Sequence, residues 1–257
     1  MPENRRLYSS GFFDRIDTAS RDSAAAMLPP LVDILKPASA IELGAGAGAW
    51  SGQLLALGLS EVIAVDGEWQ TDRAMHVPRA AFRAHDLQTP LDLNRRFDLA
   101  IALEVAEHLA ESAADVFVSS LTRHADVVLF SAAMPLQGGT NHINEQPPSY
   151  WIAKFSERGY ACLDIIRPMF WNNRNVATYY KQNGYLFAHE SRTELIATLR
   201  DRQARLYEGS SSLWFVHPDQ YLEVASYRSV SPRRLIPMLP RILLRDVFIS
   251  ARRRFMG

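Results

Sequence analysis

The chain is poor in the groups that announce redox or thiolate chemistry. It has one cysteine, Cys162, among 257 residues. A disulfide within the chain is therefore excluded, and so is a zinc site built from cysteines. The thiol in Ala161-Cys162-Leu163 reads as a small packed apolar group. Charge of one sign is lacking too, because 28 Lys and Arg balance 28 Asp and Glu. That excludes a polycation, and no nucleic-acid partner is expected. No stretch approaches the roughly 20 apolar residues that span a bilayer. The start, Met1-Pro2-Glu3-Asn4-Arg5-Arg6, leads into no apolar run of the kind that marks a secretory signal. A cytoplasmic protein is the expectation. With 47% hydrophobic and 22% charged residues, collagen-like and wholly disordered chains are excluded.

What is present is an alternation of short apolar runs and helical spacings. Strands are expected at 39–43, 61–66, 81–85, 97–103, 127–133, 161–166 and 185–188. Helices are expected at 23–35, 50–57, 107–123, 150–159 and 191–207, with Pro29-Pro30 breaking or bending the first. Gly159 is read as a helix C-cap. Nearly continuous apolar strands between helices indicate a parallel sheet covered on both faces. The last two strands, with no good helix between them, indicate an antiparallel edge. The fold expected is α/β: a single doubly wound, Rossmann-like domain with a mostly parallel seven-stranded sheet and an antiparallel edge strand. Residues 1–22 read as a cap or lid, 23–207 as the cofactor-binding domain, and 208–257 as a basic amphipathic extension.

The strongest local signal is Ile41-Glu42-Leu43-Gly44-Ala45-Gly46-Ala47-Gly48-Ala49-Trp50. Glycines at alternate positions after a buried strand let the backbone turn sharply and approach a ligand. The helix that follows offers free N–H groups. Asp66 ends the next strand about 20 residues on, where a carboxylate can accept both ribose hydroxyls of a nucleoside. The spacing alone leaves a dinucleotide open, since Gly44, Gly46 and Ala49 also satisfy that looser fingerprint.

Four segments together resemble the class I S-adenosylmethionine-dependent methyltransferases. Glu42 to Gly48 is similar to their first motif, which wraps the methionine half of the cofactor. Val65-Asp66 is similar to the second, with the acid on the ribose. Asp86-Leu87 is similar to the third, which meets the adenine. Phe97 to Leu109, ending Glu104-Val105-Ala106-Glu107-His108-Leu109, is similar to the fourth, which faces the sulfonium. The resemblance spans about residues 20–190. It implies S-adenosylmethionine as cofactor, held by Glu42, Gly44, Ala45, Gly46, Gly48, Trp50, Asp66, Gly67, Asp86, Leu87 and Glu104. A narrower resemblance involves Phe13 to Asp17, Ser20 to Ala24, Gly138 to Gln146 and Tyr150-Trp151. It is to a bacterial group tied to surface saccharide or natural-product modification, and implies a small-molecule or glycan acceptor methylated on oxygen. An NAD(P)-dependent oxidoreductase and a non-catalytic methyltransferase-like binding module remain as other readings.

An alcohol acceptor has to lose a proton, and histidine suits that task near neutral pH. His142, in a Gly- and Asn-rich loop after the fifth strand, is the candidate base. Glu145 either orients it or helps Asn144 organise the loop and cap the next helix. His108 is read as sharing one helical face with Glu104 and lining the acceptor pocket. A metal site from His142, Glu145 and Glu107 lacks a clear ligand spacing, and no metal is expected. Tyr8, Phe12, Phe13 and Trp171 are candidate lid aromatics, though core packing is the commoner role.

The stretch 232–257 carries seven arginines against one acid, Asp246, interleaved with apolar residues such as Leu239, Ile242, Leu243, Val247 and Phe248. Such a segment can lie peripherally on an anionic membrane, or dock as a helix with its arginines in water. Flotation on anionic vesicles separates these. The membrane reading requires the full chain to float and a 1–231 truncation to stay behind; absence of both from the vesicles removes it.

Overall fold

The computed structural model describes residues 10–70 and 74–208, with side chains for 17–70 and 74–206. Tyr8 and the basic extension lie outside the described residues, as do the side chains of Phe12 and Phe13. The order of elements is α1 (Ser10–Leu35), β1 (Ser39–Leu43), α2 (Ala49–Ala56), β2 (Glu61–Asp66), β3 (Phe82–Ala84), β4 (Leu99–Leu103), α3 (Ala114–His124), β5 (Val127–Ser131), α4 (Pro148–Ser156), β6 (Tyr160–Leu163), α5 (Ile166–Phe170), α6 (Thr178–Asn183), β7 (Tyr185–His189) and α7 (Thr193–Glu208). The seven strands lie in the order β3-β2-β1-β4-β5-β7-β6. The first five pair in parallel, and β7 is antiparallel to both β5 and β6. The reversed strand thus sits one place in from the edge, and β6 forms the edge itself.

Side chains alternate across the sheet, as the two-residue period of a strand requires. Leu99, Ile101 and Leu103 of β4 join Val127 and Leu129 of β5 in one core, with Met27, Leu28, Leu31, Trp50 and Tyr180. Ala100, Ala102, Val128 and Phe130 point the other way, into a second core with Phe117, Leu121, Trp151, Phe155 and Phe187. Burial of both faces explains why the strands read as nearly unbroken apolar runs. Phe155 and Phe187 stack at 4.0 Å, and Phe130 meets both edge-on.

Four expectations need correction. Helix α1 begins at Ser10 and runs through Pro29 and Pro30 to Leu35. Two missing N–H donors are tolerated because Ala24, Met27, Leu28 and Leu31 are fully buried against the sheet and fix the helix from outside its ladder. Ser20 and Ser23 also tie it to α6, by Oγ to the Tyr180 hydroxyl (2.9 Å) and by the Ala177 N–H to Oγ (3.0 Å). The helix expected from residue 107 is instead two single 3-10 turns, Ala106–His108 and Glu111–Ala113, followed by α3. Two short helices, α5 and α6, fill the connection between β6 and β7. Finally, α4 opens on Pro147-Pro148 without a side-chain cap, so Asn144 and Glu145 do not cap it.

The switch in connection direction lies at β1. Its neighbours β2 and β4 belong to successive crossovers on opposite sides, which opens a crevice at their carboxyl ends. Glu42–Gly48, Asp66, Asp86 and Glu104 all fall at that edge. Among the described residues no helix is long and apolar enough to cross a membrane.

Candidate functional site

The crevice is built on the glycine turn. Gly44 (φ 84°), Gly46 (φ 53°) and Gly48 (φ 80°) all adopt the left-handed region, which side chains disfavour. At Gly44 space is limiting as well, because a Cβ there would stand 2.3 Å from Val105 Cγ2. At Gly46 a Cβ would meet nothing within 4 Å, so the middle of the turn faces open space. Gly48 serves as the residue before α2. The segment after β2 closes the outer side of the turn. His76 N–H donates to the Ala47 carbonyl (2.8 Å), and its ring meets Asp17 of α1 at 2.7 Å.

Asp66 joins the tips of β1 and β2. Its Oδ2 accepts the Gly46 N–H at 2.6 Å, and its Oδ1 accepts the Gly67 N–H at 2.6 Å. Burial raises its pKa, while the two N–H donors oppose the rise. A carboxylate retains lone pairs beyond these two bonds. Ala45, Gly67 and Leu87 are buried, and Asp86 is exposed just past β3 with Oδ1 accepting the Gln88 N–H (3.0 Å).

Two of the expected cofactor residues point elsewhere. Strand alternation turns Glu42 toward α2, where it accepts both the N–H (2.9 Å) and the hydroxyl of Ser51. It is 3% exposed, and desolvation pushes its pKa up to about 7. Trp50 lies in the core beneath the turn, edge-on to Tyr180. Glu42 and Trp50 therefore shape the turn from below. The spacing did not reveal Trp69. Its ring lies over Gly67, with carbons within 2.3 Å of where a Cβ would be, and it is 68% exposed. Gly67-Glu68-Trp69 carries no motif, so only the fold brings this ring beside Asp66.

The second half of the crevice forms where β4 ends. Glu104 takes φ 56°, a left-handed backbone rare for a residue with a side chain. That kink, and the 3-10 turn after it, replace the common helical face expected for Glu104 and His108. The Glu104 carboxylate is held by the amides of Asn183 (3.1 Å) and Gln137 (3.1 Å). Burial raises its pKa against those donors. Glu107 is 0% exposed, and the Glu107 and Ala133 N–H groups near its carboxylate make no well-formed hydrogen bond to it. Burial, then the charge of Glu104, hold its pKa well above the usual carboxylate range.

The loop after β5 docks on this turn through the backbone. The N–H groups of Ile143 and Asn144 both donate to the Glu107 carbonyl, at 2.9 and 3.0 Å. His142 thereby meets His108 edge-on with 4.8 Å between ring centres. Glu145 accepts from the Leu136 and Gly138 N–H groups (2.9 and 2.8 Å) and lies 3.0 Å from His142 Nδ1. The structure thus brings His142, Glu145 and His108 together, with Glu145 orienting the imidazole and clamping the loop. One ligating atom each from Glu107, His108 and His142 lie within 4.8 Å of one another. Trp171 is buried at the end of α5.

Two measurements check this geometry. Gly44→Ala should cost about 1–3 kcal/mol in urea unfolding, from the left-handed backbone and the Val105 clash. Adding Val105→Ala should recover part of it, and strict additivity of the two losses would contradict the contact. For Glu42 burial pushes the folded-state pKa up from the ordinary 4.5 to about 7. Its contribution to stability is complete below about pH 4.5 and is lost as pH rises toward 7, by about 3 kcal/mol in all. Glu42→Gln should flatten the stability profile across that window.

No family model matches the chain, and no curated protein matches it. Several solved structures are similar. The methyltransferase domain of bacterial CtHen1-C is 17% identical over 66% of this chain and 98% of that chain, with a TM-score of 0.49. Human N-acetylserotonin methyltransferase in complex with SAM is 16% identical over 73% of this chain and 56% of that one, with a TM-score of 0.47. The glycopeptide N-methyltransferase MtfA complexed with sinefungin is 14% identical over 65% of this chain and 91% of that one, with a TM-score of 0.47. At that distance the fold rests on the sheet order and the site on its own geometry.

Proposed function

We propose that the chain transfers the methyl group of S-adenosylmethionine to an oxygen of a sugar or another polar small molecule. The observation that carries the reading is the left-handed glycine turn facing Asp66 across the carboxyl edge, with Glu104 at the tip of the adjacent strand. When bound, the cofactor supplies an electrophilic methyl carbon on a positive sulfur.

The residues present fit that group. The open side of Gly46 leaves room for the methionine half. Asp66 offers its remaining lone pairs to the ribose hydroxyls. The exposed ring of Trp69, two residues past Gly67, suits stacking on a purine. Asp86 and Leu87 lie at the end of β3 for its polar edge. The chain's own part in the reaction is alignment of the acceptor behind the methyl carbon. The acceptor side is the loop after β5, whose Leu136 and Ile143 are 86% and 67% exposed and give the crevice an apolar lip. An oxygen acceptor has to shed a proton, and the imidazoles of His108 and His142 stand on that side.

Calorimetry with S-adenosylhomocysteine and NADH separates the readings. Methyl transfer requires one S-adenosylhomocysteine per chain and no NADH, and an oxidoreductase requires the reverse. A non-catalytic module binds the nucleoside but methylates nothing in a mass-read panel of nucleotide sugars, glycans and hydroxylated acids. Trp69→Ala should weaken S-adenosylhomocysteine binding about tenfold, within the range of base–aromatic stacking. Unchanged affinity removes the stacking role.

A further inference from the structure

We propose that Glu107, His108 and His142 form a binding site for a divalent transition-metal ion, of the Mn²⁺, Fe²⁺ or Co²⁺ class, at the acceptor side of the crevice. Three observations meet there. Ligating atoms of the three side chains lie within 4.8 Å of one another. Ligands at about 2.1 Å from one ion stand roughly 3 Å apart when adjacent and about 4.2 Å when opposite. Small side-chain adjustments therefore close the set.

The second observation is Glu107 itself. Its carboxyl is fully buried; the Glu107 and Ala133 N–H groups and the Glu104 carboxyl lie nearby, but none makes a well-formed hydrogen bond to either oxygen. A buried acid with such weak partners is costly unless it is neutral or faces a cation. A core acid of purely structural value would be expected to have well-formed hydrogen bonds, as Glu42 has from Ser51. Glu107 instead shares its surroundings with Glu104 and with two imidazoles.

The third observation is the support around the set. Glu145 lies 3.0 Å from His142 Nδ1, and the Asn141 carbonyl lies 3.3 Å from His108 Nδ1. Each ring then has its other nitrogen, Nε2, left to ligate, the arrangement in which outer partners fix tautomer and orientation. Two imidazoles and one carboxylate favour a transition ion over Mg²⁺ or Ca²⁺, which prefer all-oxygen ligands. The sequence pairs His142 with Glu145 and Glu107, but the fold commits Glu145 to the loop backbone and substitutes His108.

Three protein ligands leave positions on a six-coordinate ion for an acceptor hydroxyl. That role rests on the proposed function; binding of the ion does not. In the transfer, the acceptor's O–CH₃ bond forms as the S–CH₃ bond breaks, and the sulfur keeps the bond pair and becomes a neutral thioether. The hydroxyl proton, made more acidic by the ion, passes to water. His142 is then a ligand and not the base read from the sequence.

The test is titration of Mn²⁺ into the full chain, followed by the electron paramagnetic resonance of the free ion. One tightly bound ion per chain is expected. Glu107→Gln and His108→Asn should each weaken it at least tenfold, while S-adenosylhomocysteine binding persists in both. His108 is exposed, so its variant answers the question if Glu107→Gln fails to fold. Co²⁺ in place of Mn²⁺ should give a visible ligand-field band that changes in His142→Asn. No stoichiometric ion in the wild-type chain, several weak ions only, or equal binding by the variants would overturn the proposal. S-adenosylhomocysteine affinity is read separately, so loss of the metal site leaves the methyl-transfer reading standing and the reverse is also true.

Discussion

The crevice depends on one short bridge, the Asp66 carboxylate accepting the Gly46 N–H at 2.6 Å. It ties the turn after β1 to the tip of β2. The turn can bend that far only because three glycines carry positive φ and because Gly44 lies against Val105 without a Cβ. Val105 in turn follows Glu104, the residue that ends β4 in a left-handed kink. The tips of β1, β2 and β4 are thus one mechanical unit. A buried acid that would otherwise be costly is stabilised by two backbone donors.

Below that unit the packing is arranged to keep it rigid. Glu42 fixes the start of α2 through Ser51, and Trp50 fills the core against Tyr180. Tyr180 reaches α1 through Ser20, so the long first helix, the turn and α6 are linked by side chains 160 residues apart in sequence. The loop side of the crevice is organised differently. There the backbone of the 143–144 segment docks on the Glu107 carbonyl, and Glu145 clamps the loop tip. One half of the crevice is thus built on strand tips and the other on a loop, where variation is tolerated more readily.

The parallel sheet, its order of strands and helices, and the glycine turn with Asp66 were legible in the sequence because each is a local pattern with a local cause. Apolar runs register burial of both sheet faces, and alternate glycines register a sharp turn. The rest was not local. Glu104 and His108 are four apart, as on a helix, and nothing in Glu104-Val105-Ala106-Glu107-His108 announces the left-handed backbone at its start. Trp69 looks like any core aromatic until the fold lays it exposed over Gly67. Glu42 sits inside the motif, but the two-residue period of β1 turns it toward α2 and Ser51. Glu107 and His142 could be paired from the sequence but not with His108 in place of Glu145, since the set is assembled by backbone bonds from residues 143 and 144 to Glu107.

The central claim is that this edge holds a sulfonium nucleoside between the turn of β1 and the acid of β2. Hydrogen–deuterium exchange of the full chain with and without S-adenosylhomocysteine tests it most directly. The account predicts slowed exchange confined to the amides of about 44–50, 66–69 and 86–88, with the edge strand β6 and helix α7 unchanged. Protection elsewhere, or none at saturating nucleoside, would contradict it.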